Sequence, residues 1–210
     1  MNRRNIRIID KIDSIPEVKE SNNVEEILTE LKSTPIAISK KNNIIFLDLN
    51  RIDSYSNIFE DSFSENADIS LAIDLGLSDS DFEEFFDYES AAKEYIRDNF
   101  RKYRDRYMHE HDSLRRKEMS LFINEDDVID EYVYEVAEDM VNNYSYYQYH
   151  LEPYLNSWEL TLFLLDYLIE NKQYIELFKN IDYITINDNE YQLDKVYISE
   201  KDNIAVLILK

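Results

Sequence analysis

A single glycine, Gly76, serves 210 residues, where ~7% is usual. Glycine takes positive φ without steric cost and lets backbone approach a ligand closely. Phosphate-cradling loops, dinucleotide-binding turns and nucleophile elbows all depend on it. One glycine cannot build them, so nucleotide chemistry of those kinds is not expected. With only three prolines as well, the chain has few sharp breaks, and the expectation is long helices joined by Asn, Asp and Ser turns.

Hydrophobic spacing predicts where those helices lie. Val24, Ile27, Leu28 and Leu31 repeat at helical steps, which marks a short helix. From residue 79 to about 103, Phe82, Phe85, Phe86, Ala92, Ile96, Phe100 and Tyr103 form one apolar stripe. From 125 to 147, Val128, Ile129, Tyr132, Val133, Val136, Met140 and Val141 form a second. A third helix, 157–178, is apolar on more of its circumference (Trp158, Leu160, Leu164, Leu165, Leu168) and is expected at the centre of the core. Residues 35–39 and 44–49 read as two strands around a polar turn, and 183–186, 191–198 and 204–209 as three more. The expected class is α+β: a predominantly helical middle of three long amphipathic helices, with short N-terminal and C-terminal antiparallel strands in one sheet. The expected divisions are an α/β segment over 1–60, an acidic helical region over 61–180 and a β-meander over 181–210, together one compact unit with two lobes.

Charge speaks to partners. Forty-five Asp and Glu oppose twenty-three Lys and Arg, a formal net charge of −22. Residues 121–160 hold ten acids and no Lys or Arg, and residues 51–100 hold fourteen acids against three bases. The chain is 44% hydrophobic, with seventeen Tyr and ten Phe, so it folds rather than forming an acidic disordered tail. A field of one sign attracts cationic surfaces and repels phosphate backbones and anionic membranes. The expected partner is therefore a basic protein, and the basic surface found most often is one that grips nucleic acid. Neither direct nucleic-acid binding nor membrane binding is expected. Residues three and four apart on a helix are neighbours at about 5–6 Å, so Asp127, Asp130, Glu131, Glu135, Glu138 and Asp139 form a dense row of carboxylates, with Glu83, Glu84, Asp87 and Glu89 in the other block. Tyrosine joins apolar area to a hydroxyl at low entropic cost, which nominates Tyr144 and Tyr147, in the tyrosine-rich stretch 144–154, as anchors beside them. The competing reading is that the acids form an ordinary solvated face.

Other constellations carry less. Arg101, Lys102, Arg104, Arg106, Arg115, Arg116 and Lys117 make a basic patch between the acidic blocks and are expected to pair with them. His109, Glu110, His111 and Asp112 lack the spacing of a helical zinc site, and cysteine is absent; no metal or cofactor is expected. Glu17-Val18-Lys19 has the Glu-x-Lys spacing of many metal-dependent nucleases, without a clear strand to carry it. No catalytic constellation stands out, so the chain is not expected to be an enzyme. The basic start reaches Asp10 before an apolar region of signal-peptide length forms, and the longest apolar run, near 160–169, is too short to span a bilayer; a cytoplasmic location in a bacterial host is expected.

The segment Phe86-Asp87-Tyr88-Glu89-Ser90-Ala91-Ala92-Lys93-Glu94 resembles the Tyr/Phe-Asp-Tyr-Glu-Ala-x-x-Arg-Asp segment of ArdA-type antirestriction proteins, acidic mimics of DNA that block restriction enzymes. The likeness covers about a dozen residues, lies mid-chain here, and implies an anti-defence inhibitor of the antirestriction or anti-CRISPR type carried by phages or plasmids. The alternative that the charge leaves open is an immunity or antitoxin-like protein neutralising a basic toxin.

Overall fold

A computed structural model describes residues 5–20, 24–39, 43–111 and 123–210. They fall into two compact units, one from Met1–Ala72 with Trp158–Lys210 and one from Ile73–Ser157. Along the chain come β1 (Asn5–Ile9), α1 (Pro16–Lys19), α2 (Val24–Glu30), β2 (Ile36–Ser39), β3 (Ile44–Asp48), α3 (Asn57–Ser64) and α4 (Ile69–Asp74). The second unit continues with α5 (Asp79–Phe82), α6 (Tyr88–Asp98), α7 (Phe100–Glu110), α8 (Glu125–Asn142) and α9 (Tyr144–Leu151). The chain then returns to the first unit through α10 (Ser157–Glu170), α11 (Tyr174–Lys179), β4 (Tyr183–Ile186), β5 (Asn189–Ser199) and β6 (Ile204–Leu209). The class is α+β. The boundaries fall near 72 and 157 rather than at 60 and 180, because an apolar stripe says that a helix is buried but not in which core.

In the first unit the strands form one sheet in the order β1-β5-β6-β3-β2, with β4 also pairing β5. The strands from both ends share this sheet as expected, but it is mixed: β1 lies parallel to β5, with Ile6 opposite Val196. A parallel pair needs a crossover, and here the crossover is nearly the whole chain. Alternation places Ala37, Ile44, Phe46, Tyr197, Val206 and Ile208 on one face, where Ile12, Ile15, Val18, Ile27 and Leu31 cover them. Ile45, Leu47, Val196, Ile198, Ala205 and Leu207 alternate to the other face and are equally buried, so β3 and β6 read as continuous apolar runs. The buried hydroxyl of Ser62 on α3 accepts from the amides of Asp182 (2.6 Å) and Tyr183 (3.2 Å), tying that helix to the start of β4.

Asparagine and aspartate do the work that glycine does elsewhere. Asn187 and Asp188 both have positive φ between β4 and β5, the geometry of a two-residue hairpin turn whose twist matches the strands. Asn43 and Asn203 take the same region before β3 and β6. Short polar side chains tolerate that backbone by bonding locally.

In the second unit α6 and α8 pack together, and Ala91 and Ala92 on the buried side of α6 leave room for a close approach. Val128, Ile129, Tyr132, Val133, Val136 and Met140 form the buried stripe of α8. The chain before α6 meets the chain after α9: the Asp87 amide donates to Tyr154 O (3.0 Å), and the Asn156 amide to Phe85 O (2.8 Å). Each of the three long helices is broken. The first gives way to a 3-10 turn at Glu83–Phe85 and restarts at Asp87, whose carboxylate caps α6 by accepting from the Ser90 amide at 3.0 Å. It breaks again at Asn99, and the second helix breaks at Asn143; each Asn amide turns back to the carbonyl four residues earlier, Tyr95 O and Asp139 O respectively. Such bonding competes with helix continuation. The third breaks after α10, where Lys172 takes a φ of 54°.

Candidate functional site

The solvent side of α8 is defined by what its other side buries. With 128, 129, 132, 133, 136 and 140 inward, Asp127, Asp130, Glu131, Tyr134, Glu138 and Val141 project outward, and all are exposed. Tyr134, 73% exposed, stands four residues from Asp130 and from Glu138 and three from Glu131, so carboxylates surround it along the helix. Asp127, Asp130, Glu131 and Glu138 form no ion pair among the described residues. From Asp127 to Glu138 the axis rises about 16 Å, a mean of about 5.5 Å between these charges, wider than the single charge per about 3.4 Å along one DNA strand.

Local electrostatics support only part of this row. Asn124 caps α8, and Glu125, Asp126 and Asp127 occupy its first turn, where the helix dipole favours anions. No basic residue stands in the last turn, so Glu138 and Asp139 oppose the dipole. Asp139 is compensated, accepting from the buried Tyr147 hydroxyl and from the Asn143 amide at 2.8 Å. Glu138 has no such compensation among the described residues. A local cost without a structural return is where function is to be sought.

Two of the expected site acids are neutralised within the molecule. Arg106 of α7 forms a two-pronged pair with Glu135 (2.7 and 2.8 Å) and also reaches Glu110 at 2.9 Å. Its guanidinium lies 4.6 Å from the centre of the Tyr132 ring. Arg106 holds the Glu135 carboxyl below the usual range. The Tyr132 hydroxyl, donating at 2.7 Å, does the same for Glu110, with Arg106 adding to it. Lys93 pairs with Glu89 one turn away on α6. The expected pairing between the basic patch and the acidic helices is thus present at Arg106, while Arg104 bonds its neighbour Asp105 (3.0 Å) and Lys102 sits over the Tyr103 ring. Arg115, Arg116, Lys117 and Asp112 lie outside the described residues.

Of the remaining expected residues, Glu84 is exposed and Glu83 half-buried in the turn before α6. Asp87 is the α6 cap, and the Ser90 amide lowers its carboxyl pKa. The two tyrosine anchors need correction. Tyr147 is only 6% exposed, with its ring edge-on to Tyr95 at 5.3 Å, and burial, with Asp139 beside it, pushes its phenol upward. Tyr144 packs against Phe86 at 5.5 Å. The rings that face solvent are Tyr146 (74%) and Tyr149 (87%), with Tyr134 on α8. Helical spacing held the signal: Tyr147 and Leu151 continue the buried stripe, with half-buried Tyr144 at its edge, so Tyr146 and Tyr149 fall off it.

The Glu-x-Lys motif does not assemble. Glu17 lies on α1, not on a strand, and pairs at 2.8 Å with Lys195 of β5; that bond chiefly lowers its pKa. His109 and His111 sit at the end of α7, where the His111 Nδ1 donates to Tyr107 O and its ring stacks on Tyr107 at 4.3 Å. Among the described residues no three His, Asp or Glu side chains converge to hold a metal ion, and no helix is long and apolar enough to cross a membrane. Compared with protein-family models, curated proteins and solved structures, the chain matches none.

Proposed function

We propose that this chain is a non-enzymatic, nucleic-acid-mimicking inhibitor, phage or mobile-element encoded and acting in the cytoplasm of a bacterial host. Its partner is a host defence nuclease or effector, and it occupies that protein's basic nucleic-acid-binding surface. The observation that carries the reading is the outward face of α8, where Asp127, Asp130, Glu131 and Glu138 surround exposed Tyr134 with no ion pair among the described residues. Glu135 and Glu89, already neutralised by Arg106 and Lys93, contribute less than position alone implies. Glu83, Glu84 and Asp87 extend the field; Asp139 adds charge while fixing α9.

The mechanism is competition. A surface that binds phosphates with Lys and Arg meets a row of carboxylates instead, and DNA or RNA is then kept out. The test is capture of the partner from host lysate by the full chain, followed by measuring whether the chain displaces labelled DNA or RNA from the purified partner. Displacement that weakens steeply with added salt supports the reading. Capture of a toxin whose activity involves no nucleic acid supports the immunity-protein alternative, and a complex indifferent to salt overturns both.

A further inference from the structure

A second feature of this unit lies away from the α8 stripe. Glu94 and Asp98 stand one turn apart on α6 and rim a 170 Å³ cleft whose other walls include Tyr95, Tyr149, His150 and Tyr154. The Tyr154 hydroxyl donates to Glu94 Oε2, which fixes that carboxylate at the rim and leaves its second oxygen without a described donor. Asp98 is exposed and has no ion pair among the described residues. Tyr95 meets the His150 ring edge-on at 4.9 Å and the Tyr147 ring at 5.3 Å, while Tyr149 makes no ring contact among the described residues. Arg97 is near enough for its charge to reach Tyr154, as are those of Glu94 and Asp87, so the mouth keeps an acidic excess.

Aromatic faces beside carboxylates favour one kind of guest. A guanidinium is planar, stacks on rings and gives paired N–H groups to carboxylates, whereas an ammonium is a compact, strongly hydrated point charge. We propose that this cleft receives an arginine side chain from a protein partner, with Tyr149 and Tyr154 against the guanidinium plane and Glu94 and Asp98 accepting its N–H groups. That the arginine belongs to a nucleic-acid-binding surface rests on the function proposed above; the chemistry of the cleft does not.

The experiment therefore uses a probe and no partner. The full chain, with ring-labelled tyrosine, is titrated by NMR with N-acetyl-arginine amide, and in parallel with the citrulline analogue, uncharged but similar in shape, and the lysine analogue. The expected result is saturable shifts of the Tyr149 and Tyr154 signals with arginine, weaker shifts with lysine and none with citrulline. The double variant Glu94→Gln/Asp98→Asn and the variant Tyr149→Ala each lose about tenfold in arginine affinity, the scale of a charged hydrogen bond or stacked cation. Tyr149 is exposed, so its removal leaves the fold in place. Equal response to citrulline, equal affinity for lysine, or Tyr134 shifting in step with Tyr149 as in a diffuse ion atmosphere, overturns the proposal. Arginine binding here by a chain that displaces no nucleic acid from any partner sinks the inhibitor reading and leaves the cleft standing.

Discussion

Replacing Arg106 with alanine separates what the second unit needs for stability from what its acidic face offers a partner. Arg106 links α7 to α8 through Glu135, with the two side chains 40% and 58% exposed, and covers the Tyr132 ring at 4.6 Å. An ion pair that open to solvent contributes about 0.2–1 kcal/mol, and a cation over a ring at an exposed site about 0.5–1 kcal/mol. Arg106→Ala should therefore cost about 1–2 kcal/mol, read by urea denaturation of the full chain. The loss should shrink in 1 M salt, where the Debye length is ~3 Å and the ion-pair share is screened, while the ring contact persists. Arg106→Lys keeps the charge without the two-pronged geometry and should recover less than half. Binding should respond in the opposite direction, because the variant frees Glu135: affinity for a cationic partner stays level or rises. A variant as stable as the parent, or a loss indifferent to salt, refutes the bridge.

Three further outcomes follow from the structure. Ser62→Ala removes the acceptor shared by the Asp182 and Tyr183 amides and should cost about 1–3 kcal/mol in the same denaturation assay. Lys172→Gly should stabilise by about 0.5–1 kcal/mol, since that position has a φ of 54°, where a side chain is penalised and glycine is the usual helix terminator. The carboxyls of Glu110, Glu135 and Asp87 are all lowered in the folded state, so their contribution is complete above their unfolded values, 4.5 for Glu and 3.8 for Asp, and is lost as pH falls through the lowered folded values. Near-ultraviolet circular dichroism should show this loss on acidification, and Arg106→Ala, already lacking the bridge, should show a shallower dependence.

The strands were legible where apolar runs and alternation were strong. β2, β3, β4, β5 and β6 appear close to their expected places, and their turns use Asn and Asp for want of glycine. β1 was not legible: Asn5-Ile6-Arg7-Ile8-Ile9 is short, partly charged and paired with a strand nearly two hundred residues away, so no local signal marks it. The helix breaks at Asn99 and Asn143 were hidden because the apolar stripe stays in phase across them, while a side-chain amide bonding back to a carbonyl leaves no periodic trace. Which helices share a core was equally invisible, since α8 and α10 both carry buried stripes but belong to different units. The α8 face was legible as the complement of that helix's stripe. The choice of Tyr144 and Tyr147 over Tyr146 and Tyr149 followed composition where spacing would have separated buried Tyr147 and half-buried Tyr144 from the exposed rings. The neutralisation of Glu135 depends on a contact between helices that spacing within one helix does not reveal.

On the function proposed above, a particular face, and not net charge alone, meets the partner. Neutralising Asp127, Asp130, Glu131 and Glu138 to their amides takes the formal charge from −22 to −18, and so does neutralising exposed Glu25, Glu26, Glu190 and Glu200 of the other unit. The direct measurement is displacement of nucleic acid from the captured partner by these two variants side by side. The α8 variant should lose displacement at least tenfold while the control stays within about twofold of the parent; equal loss in both, or no loss in the α8 variant, contradicts the claim.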